Sequence, residues 1–576
     1  MQSKIKKWEL NNEISPLTPI LEDELKIPPV FANILAQRGI SNFEEAKQFF
    51  RPSFSDLLDP FSMLGMKKAV DRVIQAKQEN QKVLVYGDYD VDGTCSVSLM
   101  YLFLKEIEID VSFYQPDRYK EGYGISMQSV EWAKKNNIDL IIALDCGVKA
   151  IEQANEFKKY GIDLIICDHH LPGNILPFSV AMLNPKQENC SYSFKDLCGC
   201  GIGFKLIHAI SIELKLDWDL ILEYLDLVAI ATAADIVPMV GENRVLVKLG
   251  LQKINETPRI GVKSLIEFSK RKGLIDSSDL VFAISPRINA AGRLGHASMA
   301  VELLSSKTSK EAQKWAQLIE DLNMERREID KKTTEEALIL LADDKNKFTS
   351  VLCSDNWHKG VVGIVASRLI ETYYRPTVVL CNDGDFITGS VRSVKGFNVH
   401  AVLVNIGDVF ERFGGHKYAA GVTLLPEKLE EFKTRFENEV KALITDDLLV
   451  EKIKIDAELI PMDLVRDKKS TPFPKLFRLV DQLAPFGPGN MRPVFKIKNM
   501  INAGYTKVVG ETHLKINVKQ DGGNITLDGI GFGLGHLKPL LTDDKLGVDI
   551  AFSLEKNEYN GNVKIQLRVR DMKHSI

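Results

Sequence analysis

The sequence has no run of uncharged apolar residues approaching the roughly 18 needed to cross a bilayer, and its opening MQSKIKKWEL lacks the apolar stretch of a secretory leader. A membrane role is therefore not expected, and the chain reads as cytoplasmic. Cysteine is sparse, 8 in 576 residues, which in a reducing compartment argues against a disulfide framework. Only Cys190, Cys198 and Cys200 cluster; they lack the paired C-x-x-C spacing of structural zinc sites and read as buried thiols. An excess of one charge is also missing, since 74 Lys and Arg stand against 78 Asp and Glu, so no molecule-wide field advertises a polyanionic partner. The patterns GxSxG, HExxH and GxxxxGKS/T do not occur, leaving serine hydrolase, zincin and P-loop NTPase chemistry without support.

What is present is too long for one hydrophobic core. Residues 1–70 read as a helical, loop-rich segment containing PPVFANILAQRGI and FEEAKQFF. From 71 to 308, continuous apolar runs (KVLVYGD, DVSFYQPD, DLIIALDCG, DLIICDHH, VAMLNP) alternate with helical stretches such as IEQANEFKKYG. That alternation predicts the α/β class, a parallel sheet covered on both faces. Residues 309–345, dense in charge and free of Gly and Pro, predict one long connecting helix. A second α/β module follows over 346–445. Short alternating strands with Gly-rich turns over 446–576 predict a small β-barrel of the OB type. Residues 451–576 carry 20 Lys and Arg against 15 Asp and Glu, a local excess that suits a nucleic-acid-binding module beside an acidic body.

The strongest signal is where the acidic residues fall. Asp88, Asp90 and Asp92 follow KVLVYG, Asp145 ends LIIALD, Asp168, His169 and His170 follow LIIC, and Asp235 closes LVAIATAAD. In open α/β sheets ligands bind beyond the carboxyl ends of the strands. Carboxylates gathered there repel one another unless cations neutralise them, and a mixed Asp and His set suits Mn²⁺, or Mg²⁺ where oxygen dominates. GCGIGF, with Gly199, Gly201 and Gly203, is a poor dinucleotide fingerprint because no clear strand leads into it.

GDYDVDGTCS, LDCG, CDHH and TAAD resemble, in order, the four motifs of the DHH phosphoesterases. The resemblance implies a parallel-sheet catalytic domain, a DHH-associated second domain and two divalent ions. Asp90, Asp145, His169 and Asp235 would hold one ion and Asp88 with Asp145 the other. Many relatives carry a ligating His four residues before Asp88, where this sequence has Leu84, so Asp92 or water stands as a substitute ligand. Asp145, His169 and His170 are expected at the reaction centre, His170 touching substrate or supporting a ligand.

SPRINAAGRLG sets Arg287, Asn289 and Arg293 among small residues that let backbone approach a phosphate chain. NWHKGVVGIVASRL, GSVRS and GGHKYAAG resemble the DHH-associated domain, whose Gly-Gly-His loop (here Gly414, Gly415 and His416) is expected to meet a substrate phosphate. Arg118, Ser390 and Arg392 match residues that in the nuclease branch of the family form a pocket for a terminal 5′ phosphate. Of the barrel aromatics Phe486, Phe495, Tyr505, Phe532 and Tyr559, most are expected to be buried. The resemblance implies an exonuclease degrading single-stranded DNA from its 5′ end and releasing nucleoside monophosphates in repair and recombination, beside a single-strand-binding protein and a helicase. A phosphodiesterase of short oligonucleotides or cyclic dinucleotides, and a scaffold without catalysis, remain as alternatives.

Overall fold

A computed structural model describes residues 6–11, 13–342, 348–467, 471–542, 546–559 and 562–575. The chain forms two compact units, one of Ile14–Asn323 with Leu476–Arg492, the other of Met1–Glu13, Met324–Lys475 and Pro493–Ile576.

The first unit is built on five parallel strands: β1 (Lys82–Gly87), β2 (Asp110–Tyr114), β3 (Leu140–Leu144), β4 (Asp163–Cys167) and β5 (Ala181–Leu183), in the order β2-β1-β3-β4-β5. KVLVYG shows no apolar alternation because both faces of the sheet are covered. Val85, Ile142 and Leu144 pack with Val97 of helix α1 (Val91–Glu106) and Phe204 of a later helix. Leu84, Tyr86 and Ile141 pack on the other face against Val130 of α2 (Met127–Lys135) and Phe157 of α3 (Ile151–Lys159).

Register then aligns the strand ends. Gly87 lies opposite Leu144, Leu144 opposite Cys167, and Cys167 opposite Leu183. The residues that follow, Asp88, Asp145, Asp168 and Asn184, therefore form a row along the carboxyl edge, neighbours about 4.8 Å apart.

Two readings need correction. LVAIATAAD is not a strand end: Leu225–Ala234 is a helix (α5) and Asp235 is its C-cap. It packs against α1, α4 (Gly199–Glu213) and α6 (Gly241–Glu256), and a helix apolar on every side shows no period to tell it from a buried strand. SPRINAAGRLG lies largely in a helix, Ser285–Leu294 (α7), whose Pro286 is tolerated in the first turn. The opening residues are not all helical, since Lys7–Leu10 pairs in parallel with Lys452–Ile455.

The connecting helix α8 runs Ser309–Leu340; positions 343–345 of the expected span lie outside the described residues. In the second unit, β6 (Ser350–Ser354), β7 (Thr377–Asp383), β8 (Phe386–Arg392), β9 (Arg412–His416) and β10 (Ala419–Leu424) form a sheet ordered β9-β10-β8-β7-β6. Val379 and Cys381 face Val365 and Leu369 of α9 (Val362–Tyr373), while Val378 and Leu380 face Phe432 and Phe436 of α10 (Leu429–Leu443). Trp357 is buried in the layer of α9.

The barrel consists of β11 (Phe495–Asn502), β12 (His513–Gln520), β13 (Thr526–Gly531), β14 (Val548–Tyr559) and β15 (Asn562–His574). Antiparallel pairings β11–β12, β12–β13, β14–β15 and β11–β14 join a parallel β13–β15 pairing and close the sheet on itself, the five-stranded OB arrangement. Phe495 is fully buried, but Tyr505 is 78% and Phe532 48% exposed. Both lie in loops after strands, outside the alternating inward positions. Phe486 is half-buried and belongs to the first unit, and the Tyr559 side chain lies outside the described residues.

Candidate metal centre and substrate contacts

The centre is assembled on the carboxyl edge of the parallel sheet. Asp90 caps α1, accepting from the Gly93 N–H at 3.0 Å. Buried Gln115 holds the same loop by donating to the Asp88 carbonyl at 2.8 Å and to Thr94 Oγ1 at 3.0 Å. Asp145 has a left-handed backbone, φ +58°. Its Oδ1 lies 3.3 Å from His169 Nε2, which is also 3.7 Å from Asp235 Oδ2 and 4.0 Å from Asp92 Oδ2. Asp145, His169 and His170 make one group with metal-binding spacing, and Asp92, His169 and Asp235 another. Leu84 is buried in the middle of β1.

Electrostatics point to cations. Burial, then Asp90, pushes the Asp88 carboxyl well above its usual value. Burial, then Asp92, does the same to Asp145. Asp235 is pushed up to about 9 by burial, then by Asp92 and Asp90, and Asp92 to about 6 by burial, then by Asp90. Such a cluster cannot be fully ionised without positive charge among its members. Asp88 Oδ1, Asp145 Oδ1 and Asp235 Oδ2 are buried acceptors with no hydrogen-bond donor among the described residues, a costly state for protein alone. A hard divalent ion meets both demands, so the donor set fits.

Surrounding groups hold these residues in place. The Gly199 and Cys200 N–H groups, in the first turn of α4, donate to Asp92 Oδ2 and Oδ1 at 2.6 and 2.8 Å. GCGIGF therefore has a function as a helix N-terminus receiving a carboxylate. Asp168 accepts from the Val148 N–H at 2.9 Å and from His170 Nδ1 at 2.7 Å. Burial opposes a charged His170, but the bond to Asp168 together with the charges of Asp168, Asp92 and Asp90 raises the imidazole pKa. Asn184 and Lys186 donate to the carbonyls of His170 and His169 at 2.8 and 2.6 Å, and the Tyr123 hydroxyl lies 3.3 Å from the Asp145 carbonyl. Sequence reasoning missed Val148, Asn184, Lys186 and Tyr123, because none belongs to a motif; only tertiary packing brings them to the edge.

The expected substrate residues separate. Arg118 stacks on Tyr89 at 4.1 Å, and its charge reaches Asp88. Gly292 of α7 approaches the Tyr89 carbonyl so closely that a Cβ there would stand 2.7 Å from it, which sets this turn of α7 beside the DYD loop; the charge of Arg293 reaches Tyr89, and Asn289 lies one turn earlier on the same helix. Arg287 does not join them: it is buried, donating to the Ala283 carbonyl at 2.6 Å and pairing with Glu320 at 2.6 Å. It ties α7 to α8. In the second unit Arg392 donates to Ser390 Oγ at 2.5 Å. A Cβ on Gly363, in the first turn of α9, would stand 2.9 Å from Arg392 Nη2 and 3.1 Å from Ser390 Oγ. Burial alone lowers the Arg392 pKa. Gly414, Gly415 and His416 lie exposed on edge strand β9.

Comparison with known proteins agrees with this architecture. Residues 82–232 match the DHH family, N-terminal domain, residues 344–442 the DHHA1 domain, and residues 468–571 the RecJ OB domain. The class so defined is the metal-dependent phosphodiesterases of DHH type. A single-stranded-DNA-specific exonuclease RecJ of Bacillus subtilis (strain 168) is 37% identical over 570 residues, spanning 98% of this chain and 70% of that protein. Its counterpart from Dickeya dadantii (strain 3937) is 32% identical, spanning 96% of this chain and 98% of that one. The crystal structure of RecJ in complex with Mn²⁺ from Thermus thermophilus superposes with a TM-score of 0.83 at 27% identity, covering 100% of this chain and 80% of that one. The chain belongs to the RecJ family of single-stranded-DNA-specific exonucleases.

Proposed function

We propose that the protein is a two-metal exonuclease that hydrolyses single-stranded DNA from its 5′ end and releases nucleoside monophosphates, serving DNA repair and recombination in the cytoplasm. The observation that carries this reading is the row of strand-end carboxylates with donorless buried oxygens, in a chain matching RecJ proteins over nearly its whole length. Asp90, Asp145, His169 and Asp235 are assigned to one Mn²⁺ or Mg²⁺ ion, Asp88 and Asp145 to the other. Asp92, whose two oxygens already accept backbone N–H groups, is assigned to anchoring α4. Bound there, two divalent cations activate water and neutralise the scissile phosphate.

The chain's own groups do the rest. Arg118 and Arg293 offer forked donors to the strand backbone beside Tyr89. His170, whose imidazole pKa is raised beside Asp168, offers an N–H donor to the substrate. Ser390, Arg392 and the first turn of α9 form a cationic cradle whose guanidinium has no carboxylate within ion-pairing distance among the described residues. A terminal 5′ phosphate, with one more negative charge than an internal phosphodiester, suits that cradle. The exposed Gly-Gly-His strand adds N–H groups for an approaching phosphate. Single-strand-binding protein and a helicase, which deliver such ends, are the partners this role calls for. No helix among the described residues is long and apolar enough to cross a membrane.

The test compares end-labelled strands that differ only in carrying a 5′ phosphate or a 5′ hydroxyl, with duplex DNA and a dinucleotide alongside. The phosphorylated strand should be cut faster. Arg392→Ala should lose that preference by about tenfold to a hundredfold, the value of a charged hydrogen bond, while Asp145→Ala should bind strands without cutting them. Degradation from the 3′ end would overturn the assigned polarity.

A further inference from the structure

PFGPGN, residues 485–490, has no role in the chemistry derived above. It precedes the barrel in sequence but belongs to the compact unit that carries the metal centre. Arg244, buried on α6, donates to the Leu483 and Pro485 carbonyls at 2.8 and 3.2 Å and to the Ala484 carbonyl at 3.0 Å. Buried Asn490 donates to the Leu483 and Pro485 carbonyls, both at 2.8 Å, and its Oδ1 accepts from Arg38 Nε at 2.8 Å. The segment is thereby made rigid.

What it is pressed against is the turn after Asp235. The Met239 N–H donates to the Pro488 carbonyl at 2.6 Å. A Cβ on Gly487 would stand 3.0 Å from Met239 Cβ, and one on Gly489 3.0 Å from Val240 Cγ1. Any larger residue at either position would press on Met239 or Val240, and Gly489 also has φ +76°. Between Asp235 and Met239, Ile236 has φ +60° and is 65% exposed. A β-branched residue rarely takes this left-handed conformation, and it persists only where its surroundings over-determine it. No packing of the exposed Ile236 side chain accounts for it, so the restraint comes from the ends of the turn.

We propose that PFGPGN is a brace: by fixing Met239 and Val240 it holds the strained Ile236 turn and so aims the Asp235 carboxylate at its cation. The brace residues are positioning residues. The inference rests on reading Asp235 as a ligand, and the experiment separates the two. Full-length wild-type, Asp235→Asn, Asn490→Ala and Arg38→Ala, which removes a half-buried guanidinium bonded to Asn490 and to the Met491 carbonyl, are titrated with Mn²⁺ by calorimetry, and amide exchange at Met239 is followed in each.

Asp235→Asn should abolish one of the two Mn²⁺ sites. Both brace variants should weaken that site about tenfold, as loss of a support behind a ligand does, and should speed exchange at Met239 while leaving the other site unchanged. If Asp235→Asn keeps both sites, the ligand reading fails. If Asp235→Asn loses a site but Arg38→Ala, with Met239 exchanging faster, binds Mn²⁺ as tightly as wild type, the brace is overturned and PFGPGN only packs.

Discussion

A left-handed aspartate with φ +58° at the centre of the proposed reaction site is held by what touches it, and Asp145 is touched by a glycine. A Cβ on Gly199 would stand 2.5 Å from Asp145 Cβ and 2.8 Å from its Oδ1, closer than any side-chain carbon tolerates. The same residue donates its N–H to Asp92 at 2.6 Å, so α4 cannot retreat without breaking that bond. Gly199→Ala therefore forces Asp145 to move. A displacement near 1 Å at a reacting centre costs on the order of a hundredfold in rate. Single-turnover cleavage should fall by that order while strand affinity measured in EDTA stays at the wild-type value; an unchanged rate would show that Asp145 has no positional role.

At the scale of elements, α4 is buried along almost its full length, and this gives it a pH dependence. His208 lies inward between Phe54 and Trp218, ring centroids 5.3 Å from each. Burial, then the charge of Lys205, lowers its pKa to about 3. The folded protein therefore keeps His208 neutral where the unfolded chain protonates it near pH 6.5. The unfolded state binds more protons below that value, so stability falls as pH drops through 6.5 and continues to fall towards the folded pKa. Urea unfolding in EDTA should show a loss of about 1.4 kcal/mol between pH 7.5 and 5.5 from this one group. His208→Leu should remove that part of the slope; equal slopes for the two proteins would mean that His208 binds a proton in the fold as readily as in the unfolded chain.

At the scale of the whole molecule, the basic excess of residues 451–576 lies mostly with the barrel, in a different compact unit from the acidic metal centre. Affinity for long strands and hydrolysis should therefore be separable. Phe532, exposed after β13, has the Arg568 guanidinium 3.9 Å from its ring centroid and His513 at 5.0 Å, an arrangement suited to stacking a base. Phe532→Ala in the full chain should weaken long single strands by about 1–3 kcal/mol, the value of one base–aromatic stack. Cutting of a dinucleotide should be unaffected. Equal affinity of variant and wild type across a salt titration would remove this face from the binding path.

Sequence alone determined the parallel sheet, the long helix, the barrel and the row of strand-end acids, because periodicity and turn chemistry are local and Asp88, Asp145 and Asp168 each follow a strand directly. It also determined the ligand chemistry, since Asp and His in that density demand a cation. Tertiary structure decided the rest. Whether LVAIATAA is helix or strand depends on what surrounds it, and burial on every side erases the period that separates the two. Whether Arg287 meets substrate or Glu320 depends on α8 passing beside α7, and Tyr505 and Phe532 are exposed because of where the barrel strands end. Residues 476–492, adjacent to the barrel in sequence, joined the catalytic unit through bonds to Arg38, Arg244 and Met239, partners more than 230 positions away. Contacts of that separation are set by the closing of the whole chain, and no window of sequence contains both ends of them.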